Sequence, residues 1–105
     1  MAKSRTVKLG LIQHASPPGV PKDTIVDTTV AMIRDAAGRG AEVIATQELF
    51  ASDYFCQVED ERKFELAEAV PGGPTSQRLM ALGKELGVEI TASLYEKRTA
   101  GVYHN

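Results

Sequence analysis

A chain of 105 residues has room for one small domain, a single sheet with a few helices. Its composition, 43% hydrophobic and 25% charged, is that of an ordinary folded protein and excludes the disordered and low-complexity classes. A formal charge of −2, with Lys and Arg scattered singly, gives no basic field for nucleic acid or anionic lipid, and no apolar run approaches the length of a membrane span.

The single cysteine, Cys56, rules out an internal disulfide and fits a reducing, cytoplasmic setting. The basic start is not followed by a long apolar stretch, because Lys8 and Gly10 interrupt the segment from Val7 to Ile12. That segment predicts a first strand ending near Gln13 rather than a signal peptide. Pro17, Pro18 and Pro21 make the next stretch a loop, since proline fixes φ and removes a donor.

Asp23 or Thr24 is the expected cap of a helix running to about Gly38. Val26, Val30, Ile33 and Ala37 follow at spacings of four, three and four, one apolar stripe facing a sheet. Gly38 and Gly40 suit a left-handed C-terminal cap. A second strand is expected from about Glu42 to about Glu48. Its run Val43-Ile44-Ala45 is continuously apolar, the pattern of a strand covered on both faces. Strand, helix and strand in this order predict a βαβ unit with parallel strands and a right-handed crossover.

Residues 59–69 predict a short surface helix around Phe64, Leu66 and Ala67. Pro71-Gly72-Gly73-Pro74 is a firm break, and Thr75 is the expected cap of a helix whose buried stripe is Leu79, Leu82 and Leu86, ended by Gly87. Val88, Ile90, Ala92 and Leu94 alternate with polar or small residues and predict a third strand. Arg98 to Gly101 is a turn candidate, and Val102-Tyr103-His104-Asn105 begins a fourth strand. A strand that begins in the last four residues has nothing after it to cover its edge, so the expectation is the front part of a larger fold.

Glu48 is the residue that calls for explanation. It lies where the apolar second strand runs into an aromatic loop containing Tyr54 and Phe55. Ligands of open α/β sheets bind outside the carboxyl ends of the strands, and a carboxylate partly buried there is tuned towards general-base work. The alternatives are a solvated carboxylate at a loop start and one paired with a distant Arg. His14 sits on the same sheet edge and reads as structural, because no second His stands at metal-ligand spacing. No metal site and no phosphate loop is expected, since Gly72-Gly73 lies between prolines without a following Lys. Lys97 and Arg98 flank a turn and read as solvated, and Asn105 as bonded to backbone.

Thr46-Gln47-Glu48-Leu49-Phe50, following Gly40-Ala41, resembles the first catalytic segment of the nitrilase superfamily of carbon–nitrogen hydrolases. Val7 to Gln13 resembles that family's first strand, Thr24 to Gly40 its first helix, and Leu79 to Leu94 the helix and strand that follow. The stretch from Glu48 through Tyr54-Phe55-Cys56-Gln57 is most similar to the branch that hydrolyses N-carbamoylputrescine, in polyamine biosynthesis.

The resemblance implies an α/β fold, the N-terminal part of a four-layer α-β-β-α sandwich, with residues 1–105 as a partial carbon–nitrogen hydrolase domain. It also implies a Glu-Lys-Cys triad that needs no cofactor: the Cys attacks an amide or nitrile carbon, the Glu is the general base, and the Lys stabilises the tetrahedral intermediate. By position Glu48 matches the Glu, and no segment of this sequence matches the Lys or the Cys segment. Cys56, eight residues after Glu48, lies in the aromatic loop and reads as a loop or pocket thiol rather than the nucleophile. Tyr54 and Phe55 shape the substrate pocket by resemblance, or else plug the underside of the loop.

These readings lead to a hydrolase that cleaves an amide or carbamoyl C–N bond of a small molecule, inactive as this chain alone and a homo-oligomer when intact. Two competitors stand beside it. One is a non-catalytic fragment that needs a partner for stability; the other is a small flavodoxin-type βαβ ligand-binding domain, for which the Pro-rich loop is a poor anion site.

Overall fold

The computed structural model describes residues 3–105. The chain runs β1 (Leu9–Leu11), α1 (Lys22–Gly38), β2 (Val43–Ala45), two 3₁₀ turns (Phe55–Gln57 and Glu61–Leu66), α2 (Pro74–Leu86), β3 (Glu89–Thr91), β4 (Glu96–Thr99) and β5 (Val102–His104). The first three strands form a parallel sheet in the order β1-β2-β3, with Gly10, Ile44 and Ile90 side by side. The ladder extends past the strands through Ile12 N–H to the Ala45 carbonyl and Thr46 N–H to the Thr91 carbonyl, each 2.9 Å.

Both helices pack on one face of this sheet. Val26, Val30 and Ile33 of α1 and Leu79 and Leu82 of α2 are buried in one cluster with Ile12 and Ile44, as their spacing requires. Gly10 is what lets α1 approach β1: a Cβ there would stand 3.0 Å from the Ala36 Cβ and 3.2 Å from the Ala41 Cβ. Gly87 caps α2 in the left-handed conformation at φ 66°, its N–H donating to the Gly83 carbonyl, because a residue without a Cβ adopts it freely.

The other face differs from the expectation for β2. Leu9 and Leu11 are exposed, Val43 and Ala45 only half-buried, so among the described residues the Val-Ile-Ala run is covered on one side only. The helix starts differ too. The first bond of α1 runs from Ile25 N–H to the Pro21 carbonyl at 3.2 Å, and neither Asp23 nor Thr24 caps it; Pro21 occupies the cap position. For α2 the cap position is Gly73, with Pro74 in the first turn, and Glu68 accepts from Thr75 N–H at 3.1 Å. The predicted helix over 59–69 is a 3₁₀ segment, capped by the Asp60 side chain accepting from Arg62 N–H.

The last strand does not extend the parallel sheet. It pairs antiparallel with β4, a strand the alternation pattern did not single out, to give a separate hairpin. Four rings fasten the hairpin to the 3₁₀ turns: Phe55 against Tyr95 at 4.6 Å, Tyr95 against Tyr103 at 5.7 Å, and Tyr103 against Phe64 at 4.6 Å. These are the tilted, offset separations that aromatic pairs favour.

Candidate active site

The carboxyl ends of β1, β2 and β3 lie along one edge, and the segments leaving them are stitched together by side chains. After β1, His14 N–H donates to Gln47 Oε1 at 2.7 Å, while Gln47 Nε2 donates to the His14 carbonyl at 2.9 Å. The amide of Gln47 thus continues the β1–β2 pairing where the ladder ends. The His14 ring is committed elsewhere, with Nε2 2.7 Å from Thr29 Oγ1 and Nδ1 3.1 Å from the Ala15 carbonyl. Thr29 is fully buried in α1, so this contact ties the loop to the helix. Among the described residues no cluster of His, Cys, Asp and Glu is placed to hold a metal.

After β2 the backbone turns sharply. Leu49 has a φ of 48°, the left-handed region that a non-glycine residue enters at a cost of about 1 kcal/mol or more. Leu49 and Phe50 are driven inward, at 5% and 1% exposure, and Glu48 is left exposed on the outside of the turn. The strand ends at Ala45, and the turn carries the carboxylate out of the core instead of burying it, contrary to the expectation of a partly buried base.

Glu48 is nevertheless held. Asn105 Nδ2 donates to Glu48 Oε1 at 2.6 Å. The Asn105 amide oxygen accepts from Ser93 Oγ at 3.0 Å, and Ser93 Oγ accepts from Leu49 N–H at 2.9 Å. Ser93 N–H in turn donates to Thr46 Oγ1 at 3.2 Å. The network closes on itself across β2, β3 and the end of the hairpin. Sequence reasoning assigned Asn105 to the backbone and passed over Ser93. The sheet-edge rule that singled out Glu48 applies equally to Ser93, at the end of β3, whereas nothing local announces Asn105.

Of the two aromatic candidates, Tyr54 is about half exposed and close enough to Glu48 to sense its charge. The Glu48 carboxylate, followed by the Cys56 group, holds the Tyr54 phenol above its ordinary value of 10.0, so it remains a proton-bearing donor at neutral pH. Phe55 turns the other way, onto Tyr95. Cys56 is an exposed free thiol on the wall of a shallow concavity shared with Phe55, Val58, Lys63, Phe64 and Tyr95. The arrangement presents a carboxylate with one oxygen anchored by a neutral amide, no ion pair to that carboxylate among the described residues, and a phenol alongside. Chemically it suits a proton acceptor.

Residues 8–105 match the carbon–nitrogen hydrolase family model. The chain is 39% identical over 103 residues to an N-carbamoylputrescine amidase of Solanum lycopersicum and 34% identical over 103 residues to one of Arabidopsis thaliana, each alignment covering 98% of this chain and 34% of the relative. A nitrilase of Pyrococcus abyssi is 29% identical over 99 residues, 94% of this chain and 37% of that protein. The crystal structure of a carbon–nitrogen hydrolase from Helicobacter pylori superposes with a TM-score of 0.84 at 30% identity, covering 94% of this chain and 33% of that one. The chain therefore belongs to the carbon–nitrogen hydrolase family, with an N-carbamoylputrescine amidase-like sequence and the family's α/β fold. It spans about a third of the length of the curated relatives it matches.

Proposed function

We propose that this chain contributes the general base of a carbon–nitrogen hydrolase, and that the base is Glu48. The observation that supports this most is the setting of Glu48: a carboxylate at the carboxyl edge of a parallel sheet, anchored through Oε1 by Asn105 and with no ion-pair partner among the described residues. In the proposed reaction Glu48 takes the proton of a cysteine thiol supplied by another segment, and the thiolate adds to the carbamoyl carbon. A lysine, also from elsewhere, stabilises the oxyanion. Collapse of the adduct breaks one C–N bond, Glu48 returning its proton to the departing nitrogen and leaving a thiocarbamoyl enzyme. One water then adds with Glu48 as base and frees the thiol, and the resulting carbamic acid loses carbon dioxide and the second nitrogen. Tyr54 forms part of the pocket wall beside Glu48, Phe55 backs the loop by packing on Tyr95, and Cys56 is not the nucleophile.

The names of the relatives support N-carbamoylputrescine as substrate; cleaved with one water it gives putrescine, ammonia and carbon dioxide, and we place the reaction in a cytoplasmic homo-oligomer that uses no cofactor. Ammonia release tests the reading. The 105-residue chain alone releases none. Joined to the remaining two thirds of the tomato relative, it hydrolyses N-carbamoylputrescine. Glu48-dependent turnover by the chain alone would overturn the division of labour, and turnover of other amides only would overturn the substrate.

The competing reading, a non-catalytic fragment that depends on a partner, draws on one observation: Leu9 and Leu11 stand 62% and 79% exposed on an open sheet face. That exposure is compatible with both readings and bears on stability rather than chemistry.

A further inference from the structure

We infer that Asn105 is the positioning residue of Glu48, and that by occupying Oε1 it leaves Oε2 as the oxygen that takes the proton. The inference rests on Glu48 being the base. Its evidence is the direction of each hydrogen bond. Leu49 N–H donates to Ser93 Oγ, which leaves the Ser93 hydroxyl proton free to donate to Asn105 Oδ1. With its oxygen fixed there, the amide can present only its NH₂ end to Glu48. The flipped amide would set Oδ1 against a carboxylate oxygen, acceptor facing acceptor. The carboxylate, an acceptor only, thus fixes the orientation, and the Ser93 hydroxyl, which can donate or accept, completes it.

Each anchor comes from a different element: the turn after β2, the end of β3 and the residue after β5. The strained φ of 48° at Leu49 belongs to the same device, since it points that N–H at Ser93 while the Leu49 side chain is held in the interior. A neutral amide suits the task. It restrains the carboxylate through a charge-assisted bond but carries no proton that a base could exchange and no charge to neutralise it. A lysine or arginine at the same place would form an ion pair and neutralise the carboxylate.

The decisive experiment uses the 105-residue chain labelled with ¹³C and ¹⁵N, and reads Glu48 rotamers from three-bond couplings together with the Asn105 side-chain amide signals. In the wild type Glu48 holds one χ1/χ2 combination, and one Asn105 amide proton lies downfield. In Asn105→Ala, Glu48 averages over rotamers while the Leu79 and Leu82 signals stay in place. In Asn105→Asp it is repelled into a different combination. Unchanged Glu48 rotamers in Asn105→Ala would overturn the inference whatever Glu48 does chemically. In the joined polypeptide, Asn105→Ala lowers kcat by about 10²-fold with KM unchanged, the scale of loss from a misplaced group; an unchanged kcat would equally overturn it. If Glu48→Gln leaves turnover intact, the general-base reading falls, and the rotamer result still decides the role of Asn105.

Discussion

Glu68 ties the start of α1 to the start of α2. Its Oε2 lies 2.7 Å from Lys22 Nζ, its Oε1 accepts from Thr75 N–H, and its side chain is only 15% exposed. Burial pushes the carboxyl up, but the hydrogen bonds from Lys22 and Thr75 outweigh it, and the net position is below the ordinary 4.5. A carboxyl depressed in the folded state contributes stability that is present above the unfolded value and is lost as pH falls through the folded one. Urea unfolding followed by circular dichroism will therefore show the wild type weakening below about pH 4.5. Glu68→Gln is weaker by about 2 kcal/mol at pH 7, and its acid loss is shallower; identical pH profiles would contradict this. At the same scale the position of Glu48 at the carboxyl end of β2 was legible, but its exposure was not. The pattern of apolar residues does not reveal that Leu49 adopts a left-handed φ, which sends Leu49 and Phe50 inward and Glu48 out.

The elements themselves were legible where periodicity spoke. The stripes of α1 and α2 and the three parallel strands are written in residue spacing, and Gly87 ends α2 as its type suggests. The helix starts were not, because the caps are tertiary. Glu68 reaches Thr75 from across the Pro-Gly loop, and Lys22 is recruited to Glu68 rather than solvated. The β4–β5 hairpin was half legible: its turn is marked by Gly101 at φ 72°, whereas β4, of sequence Glu-Lys-Arg-Thr, is too polar to announce a strand. Packing between α1 and β1 hinges on Gly10. Gly10→Val, which must push Ala36 and Ala41 aside, is expected to cost about 1–3 kcal/mol, the usual range for overpacking. Thermal melts check it; an unchanged midpoint would mean that α1 moves away from β1 freely.

On the scale of the molecule, the uncovered face of the parallel sheet is the dominant feature. Leu9 and Leu11 are exposed beside half-buried Val43 and Ala45, and apolar surface left open in this way favours association. Sedimentation velocity should show the 105-residue chain associating as concentration rises. Changing Leu9 and Leu11 together to lysine weakens that association at least about tenfold, since burying one such side chain is worth about 1.5–3 kcal/mol. A monomer at all concentrations would show that this face is inert. Fold and family were readable because the motif around Glu48 and the βαβ pattern coincide. The hydrogen-bonded setting of Glu48 was not, because it joins residues 57 positions apart. The central claim is that Glu48 acts as the base in carbon–nitrogen bond hydrolysis. Its most direct test is the kcat for ammonia release from N-carbamoylputrescine by the joined polypeptide, with Glu48 and with Glu48→Gln. A loss of about 10²–10⁴-fold is expected for Glu48→Gln, the range for removing a general base; equal rates would contradict that role.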